Sequence, residues 1–171
     1  MAADGAGGTA GPAASQAVRA LLVLNGKGLD TRGETEESKA YFRSSARLAD
    51  YDAHIRRAAE ELGVSVQHVQ TNDLEECIAR LQSAQEDAIV INPAGFMKEQ
   101  ELVDCIASLK KPVIEVHYGN FFAKGAVSLV TAACSGLIVG AKLDSYSLGM
   151  RAALAALDPS YHEFDHPPSQ L

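Results

Sequence analysis

The chain has little of several residue types on which whole classes of protein depend. It contains no tryptophan, 6% aromatic residues and only three cysteines in 171 residues. An odd number of widely spaced cysteines does not make a disulfide scaffold, and it fits buried free thiols in a reducing compartment. The chain also lacks a basic excess, because its net charge is −7 and a nucleic-acid-binding protein needs a basic face. We therefore expect no nucleic-acid partner.

Long apolar runs and the short motifs of common cofactor sites are absent as well. No apolar stretch approaches the roughly 20 residues that cross a bilayer, so we expect no membrane partner. The sequence has no Gly-x-Gly-x-x-Gly, no Gly-Lys-Ser/Thr phosphate loop, no Gly-x-Ser-x-Gly turn and no metal-ligand spacing. Asn25-Gly-Lys-Gly28 is rich in glycine but too short for either nucleotide motif. What remains is acid–base chemistry by histidine, tyrosine or lysine, without a cofactor or metal.

The apolar pattern predicts strands that alternate with helices. Short apolar runs predict strands at residues 20–24, 64–69, 88–91, 113–116 and 137–139. Apolar residues at helical spacing predict helices at residues 48–62, 73–81, 99–109 and 143–157. Residues 30–45 are polar and aperiodic, which predicts a long loop of a functional kind. This alternation favours an α/β fold: a flavodoxin-like, doubly wound, five-stranded parallel sheet in a single domain.

The two ends of the chain differ in composition from the part between them. Residues 1–17 are rich in glycine and alanine, and residues 158–171 contain three prolines, so both predict tails, the first of them disordered. The folded domain is expected to span residues 18–157. The first residues lack a basic start and an apolar segment, so we expect no secretory signal and a cytoplasmic location.

Polar side chains gather where the predicted strands end. Asn25 follows the first strand, Asn92 the third, and Glu115 and His117 the fourth. Because the carboxyl ends of parallel strands meet at one edge of the sheet, these groups should converge on one crevice. A histidine there can act as an acid or a base near neutral pH. Tyr41, in the long loop, could reach over the same crevice.

Several short segments, in order along the chain, match a known family. They are Leu22-Val-Leu-Asn-Gly26, Leu48-Ala-Asp50, Gln70-Thr-Asn72, Ile91-Asn-Pro93, Pro112-Val-Ile-Glu-Val-His117 and Gly136-Leu-Ile-Val-Gly140, followed by Met150-Arg-Ala-Ala-Leu154. In these segments the chain resembles the type II 3-dehydroquinate dehydratases, from about residue 20 to residue 157. The resemblance implies a flavodoxin-like fold and a trimer-based homo-oligomer, usually a dodecamer.

The resemblance also implies an enzyme that removes water from 3-dehydroquinate through an enolate. In that chemistry a loop tyrosine takes the proton next to the ketone, and an asparagine-held water stabilises the enolate. A histidine then protonates the leaving hydroxyl. These roles would fall on Tyr41, Asn92 and His117, with Glu115 orienting the histidine. The positions implied to bind the substrate, a small carboxylate, are Asn25, Lys98, Asp104, Tyr118, Gly119 and Lys124.

Several catalytic positions of the family carry other residues in this chain. Gly28 stands where the family has an asparagine. Thr35 stands where the family has the arginine that activates its tyrosine, with Arg32 and Arg43 as the nearest substitutes. The loop is also longer than in the family, so Tyr41 matches the family tyrosine only if a gap is allowed.

The identity of the base stays open between two residues. A family histidine that binds the substrate falls on Met97 or Lys98, close to the enolate site at Asn92. Partial burial can make a lysine lose its proton, so Lys98 is a candidate base beside Tyr41. Asp104 matches a family aspartate that reaches a neighbouring subunit.

Two functions are therefore predicted. The first is a dehydratase-like lyase that acts on 3-dehydroquinate or a related cyclic hydroxy-ketone acid, with His117 as general acid. The alternative is a non-catalytic or repurposed member that binds a small carboxylate or serves as an oligomeric scaffold. The remaining histidines of the predicted domain, His54 and His68, are interpreted as structural.

Overall fold

The computed structural model describes residues 18–158, which form five strands and five α-helices. The strands are β1 (Ala20–Asn25), β2 (Ser65–Gln70), β3 (Ala88–Asn92), β4 (Val113–His117) and β5 (Gly136–Val139). The helices are α1 (Glu36–Phe42), α2 (Leu48–Leu62), α3 (Leu74–Gln82), α4 (Gln100–Ser108) and α5 (Asp144–Ala155). Short 3₁₀ turns cover Ala94–Phe96, Phe122–Lys124 and Val130–Ala133. The predicted tails, apart from residue 158, lie outside the described residues.

All five strands pair in parallel, in the order β2-β1-β3-β4-β5. The order confirms the flavodoxin-like, doubly wound sheet in a single domain. Its winding reverses between β1 and β3, where the register places Asn25 beside Asn92. In such sheets ligands bind outside the carboxyl ends of the strands, at the point of reversal. The two asparagines therefore mark the edge at which a ligand site is expected.

The alternation of side chains along each strand divides the core into two layers. Leu21 and Val23 of β1 pack with buried residues of α2 and α5. Leu22 and Leu24 point to the other face, where they pack with buried residues of α3 and α4. Because both faces are covered, β1 and β3 are apolar up to their last residue and β4 is apolar at three of its five positions, which is why they are easy to predict as strands.

The same alternation fixes where the polar residues of β4 point. Val113 lies in the layer under α3 and α4, so Glu115 and His117 share its face of the sheet. Ile114 and Val116 point to the opposite face, towards α5. The whole of β4 is buried, including the carboxylate and the imidazole.

The segment at residues 30–45 is not the continuous loop that the sequence predicts, because it contains α1. Thr35 caps this helix, since its hydroxyl accepts a hydrogen bond from Ser38 N–H at 3.1 Å. Glu36 and Glu37 occupy the first turn, where the helix dipole favours acidic side chains. No residue of α1 is buried, so the segment has no apolar periodicity from which a helix could be predicted.

The other helices begin and end close to their predicted positions. The prediction for α2 matches both of its ends, and the helix stops at Gly63, whose φ of 66° is left-handed. Between residues 18 and 158, no helix is both long and apolar enough to cross a bilayer. The three cysteines are free thiols, with Cys77 and Cys105 buried and Cys134 half-buried.

Candidate active site

A cleft of about 330 Å³ opens at the carboxyl ends of β1, β3 and β4. Of the site residues predicted from the sequence, those in its lining are Tyr41, Asn92, His117, Tyr118, Gly119 and Lys124. The lining also contains Lys27 and Arg32, and among the described residues it includes no aspartate or glutamate. A positively charged cleft in a protein with a net charge of −7 suits a small anionic ligand.

His117 is held against the wall of the cleft by the buried carboxylate of Glu115. His117 Nε2 lies 2.7 Å from Glu115 Oε1. The hydroxyl of Ser128 donates to the same oxygen at 2.6 Å, and the hydroxyl of Thr131 donates to Oε2 at 2.5 Å. The fully buried Glu115 does not line the cleft but fixes the ring that does. The contact leaves Nδ1 of His117 as the ring nitrogen available to a ligand.

Two opposing effects act on the Glu115 carboxyl. Burial raises its pKa, whereas the hydrogen bonds from His117, Ser128 and Thr131 and the charge of His117 lower it. Together, the hydrogen bonds and the charge of His117 outweigh the effect of burial, so the pKa of Glu115 lies below its usual range. The carboxylate is therefore ionised at neutral pH and can stabilise a proton on His117.

Asn92 is the last residue of β3 and is held in the cleft wall by two hydrogen bonds. Ala94 N–H donates to Asn92 Oδ1 at 3.2 Å, and Asn92 Nδ2 donates to the hydroxyl of Tyr146 at 2.9 Å. Tyr146 belongs to α5, which packs closely on the sheet at Gly149. A Cβ atom at this position would lie only 2.5 Å from Cγ1 of Val116. The absence of a side chain at that position lets α5 bring Tyr146 to the strand ends.

Asn25 is not brought to the cleft, although the sequence suggests a substrate-binding role. Its side chain is fully buried and does not line the cleft. Its Oδ1 accepts a hydrogen bond from Tyr146 at 2.7 Å, and its Nδ2 lies 2.8 Å from His68 Nε2. A buried carboxamide satisfied on both sides has no group left for a substrate, so Asn25 belongs to the support of the cleft.

Tyr41 lies on α1 at the rim of the cleft, and 60% of its surface is exposed. Lys124 Nζ donates a hydrogen bond to the backbone carbonyl of Tyr41 at 2.9 Å. The same ammonium lies 3.3 Å from the centroid of the Tyr41 ring, a cation–π contact. Lys124 thus joins α1 to the segment after β4 and places a positive charge against the face of the tyrosine.

Arg32 is the cleft residue whose importance the sequence shows least clearly. Its guanidinium carbon lies 3.8 Å from the centroid of the Phe42 ring, and Nε is buried with no hydrogen-bond partner in the described part of the chain. Burial raises the pKa of Tyr51, and the positive charge of Arg32 opposes this shift. The one signal in the sequence was the proximity of Arg32 to the position of the missing family arginine.

Lys98 and Asp104 do not reach the cleft. Both are exposed, Lys98 just before α4 and Asp104 on its surface, where Oδ1 accepts a hydrogen bond from Gln100 at 2.8 Å. The candidacy of Lys98 as a base depends on partial burial, which its exposed position does not provide. The contact of Asp104 with a neighbouring subunit stays a prediction.

The family model described as dehydroquinase class II matches residues 19–154, which contain every strand of the sheet. The chain belongs to this family, also called the type II dehydroquinases. The 3-dehydroquinate dehydratase of Desulforudis audaxviator is 36% identical to it over 140 residues, 78% of this chain and 91% of that protein. The 3-dehydroquinate dehydratase of Syntrophotalea carbinolica is 34% identical over 143 residues, 80% of this chain and 95% of that protein.

Solved structures of type II dehydroquinases share the fold of this chain. The structure from Propionibacterium acnes gives a TM-score of 0.73 at 30% identity, covering 84% of this chain and 100% of that one. The structure from Butyrivibrio crossotus gives a TM-score of 0.74 at 25% identity, covering 80% of this chain and 98% of that one. The family membership predicted from the ordered segments is thereby confirmed.

In this chain, Gly28 lines the cleft at the position where the family resemblance leads us to expect an asparagine. Its φ of 89° is left-handed, and its N–H donates to Asn72 Oδ1 at 2.9 Å. Asn72 Nδ2 in turn donates to Asp30 Oδ2 at 2.8 Å. The loop after β1 is thus fixed by Asn72, and the chain offers no carboxamide side chain at position 28.

Proposed function

We propose that this chain is a hydro-lyase that removes water from 3-dehydroquinate or a closely related cyclic hydroxy-ketone acid. The observation that carries the proposal is the buried Glu115–His117 pair at the cleft wall. It is supported by family membership and by relatives named 3-dehydroquinate dehydratase. His117 is the general acid, and Glu115 orients and stabilises its protonated form.

The reaction proceeds in two steps through an enolate. Tyr41, at the rim of the cleft, removes the proton next to the ketone. The C–H electron pair forms the carbon–carbon double bond of the enolate, and the π pair of the ketone moves to its oxygen. A water held by Asn92 stabilises the negative oxygen that forms. The oxygen then re-forms the C=O bond, and the enolate double-bond pair makes the new carbon–carbon double bond as the C–O bond to the hydroxyl breaks. The hydroxyl leaves with a proton from His117 as water.

The substrate carboxylate is held by the positive side of the cleft. Lys27, Arg32 and Lys124 supply cations, and the backbone after β4 supplies N–H groups at Gly119. Arg32 is the strongest candidate, because a guanidinium binds a carboxylate with two parallel hydrogen bonds. The uncharged parts of the ring would contact Tyr118, which also lines the cleft.

The test is the absorbance of the conjugated enone that dehydration of 3-dehydroquinate forms. The wild-type chain is expected to give this signal, and His117→Ala is expected to lose at least about a hundredfold in kcat. His54→Ala is the matched control, because His54 also lies near an acidic residue, Asp144, but outside the cleft. No signal from wild type at millimolar substrate would refute dehydration of 3-dehydroquinate.

A second function, a repurposed member that binds a small carboxylate without turnover or serves as an oligomeric scaffold, is favoured by Gly28. The resemblance places a catalytic asparagine at this position, and glycine offers no side-chain donor to an enolate. Calorimetric titration with quinate, in which a hydroxyl replaces the ketone, would support the binding version if wild type binds it without turning over 3-dehydroquinate. Turnover that His117→Ala abolishes would refute both versions.

We further propose a trimer-based homo-oligomer, a dodecamer by resemblance to the family, in the cytoplasm. The segment between β4 and β5 exposes three large apolar side chains, Phe122, Val127 and Leu129. Apolar side chains exposed so near each other are typical of a surface that a partner covers. A second copy of this chain is the partner that the resemblance implies.

A further inference from the structure

A chain of buried hydrogen bonds runs beneath the cleft, from Asn92 to the surface of α2. Asn92 contacts Tyr146, Tyr146 contacts Asn25, and Asn25 contacts His68 at distances of 2.9, 2.7 and 2.8 Å. His68 Nδ1 then lies 2.9 Å from Asp52 Oδ1. The first four side chains are almost completely buried. These four residues come from β3, α5, β1 and β2, so no continuous segment of the sequence contains all of them.

The chemistry at one end sets the direction of every bond in this chain. The backbone N–H of Ala94 can only donate, so Asn92 must turn Oδ1 towards it and Nδ2 towards Tyr146. The Tyr146 oxygen then accepts, and its single hydrogen goes to Asn25 Oδ1. Asn25 is left with Nδ2 facing His68, whose Nε2 must therefore accept.

The other end of the chain imposes the same direction. With Nε2 of His68 as acceptor, the ring hydrogen of its neutral form lies on Nδ1 and is donated to Asp52. Asp52 is ionised, because hydrogen bonds from Arg56 and His68 lower its pKa. Burial raises the pKa of Tyr146, which keeps the phenol protonated as a donor. A fixed donor and a fixed acceptor at opposite ends thus agree on a single arrangement.

We propose that His68, held by Asp52, is a positioning residue that fixes the orientation of the Asn92 carboxamide in the cleft. This inference rests on the proposed function for its effect on catalysis. Without an acceptor at position 68, Asn25 Nδ2 loses the hydrogen bond that it donates to His68 Nε2. Asn25 Nδ2 is then buried without its acceptor, so Asn25 and Tyr146 shift and the hydrogen bond from Asn92 Nδ2 to Tyr146 weakens. The Asn92 carboxamide is left held on one side only, by the N–H of Ala94.

The groups that face His68 explain why it occupies this role. Asp52 of α2 accepts from one ring nitrogen, and Asn25 of β1 donates to the other. Arg56 of α2 donates to Asp52 Oδ2 at 2.8 Å, which fixes the carboxylate. A histidine is the side chain that can accept from a carboxamide and donate to a carboxylate across one rigid ring.

The kinetic test compares His68→Phe, which removes the acceptor, with His68→Gln, which can replace it with an amide oxygen. His68→Phe is expected to lower kcat about tenfold with little change in KM, because a misplaced carboxamide acts on the enolate. His68→Gln is expected to restore most of the loss. The matched control is His54→Phe, which removes a histidine of α2 that has no bond to Asn25 and should leave kcat unchanged.

The double variant separates positioning from a general loss of structure. If His68 acts through Asn92, His68→Phe should change kcat less than about twofold in an Asn92→Ala background. Additive effects of the two substitutions would overturn the inference.

A second measurement does not depend on activity. The chain has four asparagines, of which Asn72 and Asn120 lie outside the hydrogen-bonded chain. With asparagine labelled by ¹⁵N, magic-angle-spinning NMR of the ligand-free protein would resolve the four side-chain amides. His68→Phe is expected to shift or split the Asn92 signal while the signals of Asn72 and Asn120 stay in place.

The outcomes distinguish failure of this inference from failure of the proposed function. An unshifted Asn92 signal in folded His68→Phe would overturn the inference, whatever the activity. If His68→Phe does not fold, Asp52→Ala replaces it, since it frees the ring to change which nitrogen donates. Absence of turnover by wild type would refute the dehydratase and leave the NMR result decisive for the role of His68.

Discussion

At the scale of single residues, the site depends on a negative charge kept in the protein interior. Glu115 has no exposed surface, and its carboxylate accepts hydrogen bonds from Ser128 and Thr131 in addition to its contact with His117. An ionised group without partners would be strongly destabilising there, whereas hydrogen bonds that satisfy both oxygens offset the cost of desolvation. Because the carboxylate is fixed, the histidine ring beside it is fixed too.

Glu115→Gln is expected to lower the free energy of unfolding by about 3 kcal/mol, because an amide nitrogen replaces one acceptor among three donors. It is also expected to reduce kcat, since the protonated form of His117 loses its counter-ion. Urea denaturation and the enone assay would measure the two effects. Glu101→Gln, on the exposed face of α4, is the matched control and should change neither.

The difference in the free energy of unfolding between wild type and Glu115→Gln depends on pH, because the pKa of Glu115 is lowered in the folded protein. The ordinary carboxyl value is 4.5, and the folded-state pKa lies below it. The stabilisation by the Glu115 carboxylate is therefore fully present at pH values above its pKa in the unfolded chain. It is lost as the pH falls through its pKa in the folded protein. The stability gap between wild type and Glu115→Gln should narrow below pH 4.5. A gap that stays constant or widens there would contradict this assignment.

Tyr41→Phe and Lys98→Met test which residue is the base. Tyr41 lines the cleft with an ammonium against its ring, whereas Lys98 is exposed and lies outside the lining. We expect Tyr41→Phe to reduce kcat/KM at least about a hundredfold and Lys98→Met to leave it nearly normal. The reverse order would restore Lys98 as the base, as the sequence alone allows.

At the scale of elements, two helices shape the cleft in different ways. The exposed α1 forms one wall and has no buried residue, so its position depends on contacts of its side chains and backbone. The helix α5 buries one face against β4 and supplies Tyr146 from below. A weakly held wall over a rigid support suits a cleft that admits a ligand and then excludes water.

Lys124→Ala tests how α1 is held. The substitution removes the hydrogen bond to the Tyr41 carbonyl and the charge over its ring. We expect faster amide hydrogen exchange in residues 36–42 and a higher KM, with little change in thermal stability. Lys98→Ala removes a lysine outside the cleft and serves as the control. Unchanged exchange in α1 would show that other contacts hold the helix.

Gly149→Ala tests the close approach of α5. A methyl group at this position would lie 2.5 Å from Cγ1 of Val116, so the helix must move outward. We expect a loss of about 2 kcal/mol in the free energy of unfolding and a lower kcat, because Tyr146 moves with the helix. Leu148→Ala alters an exposed neighbour on α5 and should affect kcat little. A variant as stable and active as wild type would contradict the proposed constraint.

At the scale of the whole molecule, the sequence predicts the sheet far better than the cleft. The apolar runs of β1, β3 and β4 are strong signals because these strands are covered on both faces. Glu115 and His117 could be predicted because they lie on such a strand. The role of His68 could not, because it arises from contacts between segments distant in sequence, which no local pattern records. Arg32 is indicated only by its proximity to the position of the family arginine.

The assembly of several copies of this chain can be measured directly. A dodecamer would have about twelve times the chain mass of 18.1 kDa, and multi-angle light scattering would measure it directly. Val127→Asp would place a charge among exposed apolar side chains near the cleft and is expected to reduce the mass to that of a smaller species. A wild-type mass of one chain would refute the oligomer.

A single experiment in heavy water follows both steps of the proposed reaction. Proton NMR would monitor exchange next to the ketone of 3-dehydroquinate, and enone absorbance would monitor loss of water. We expect wild type to form product, His117→Ala to incorporate deuterium without forming product, and Tyr41→Phe to do neither. Product formation by His117→Ala at the wild-type rate, or neither process in wild type, would contradict the account of His117 as the acid of an enolate-forming dehydratase.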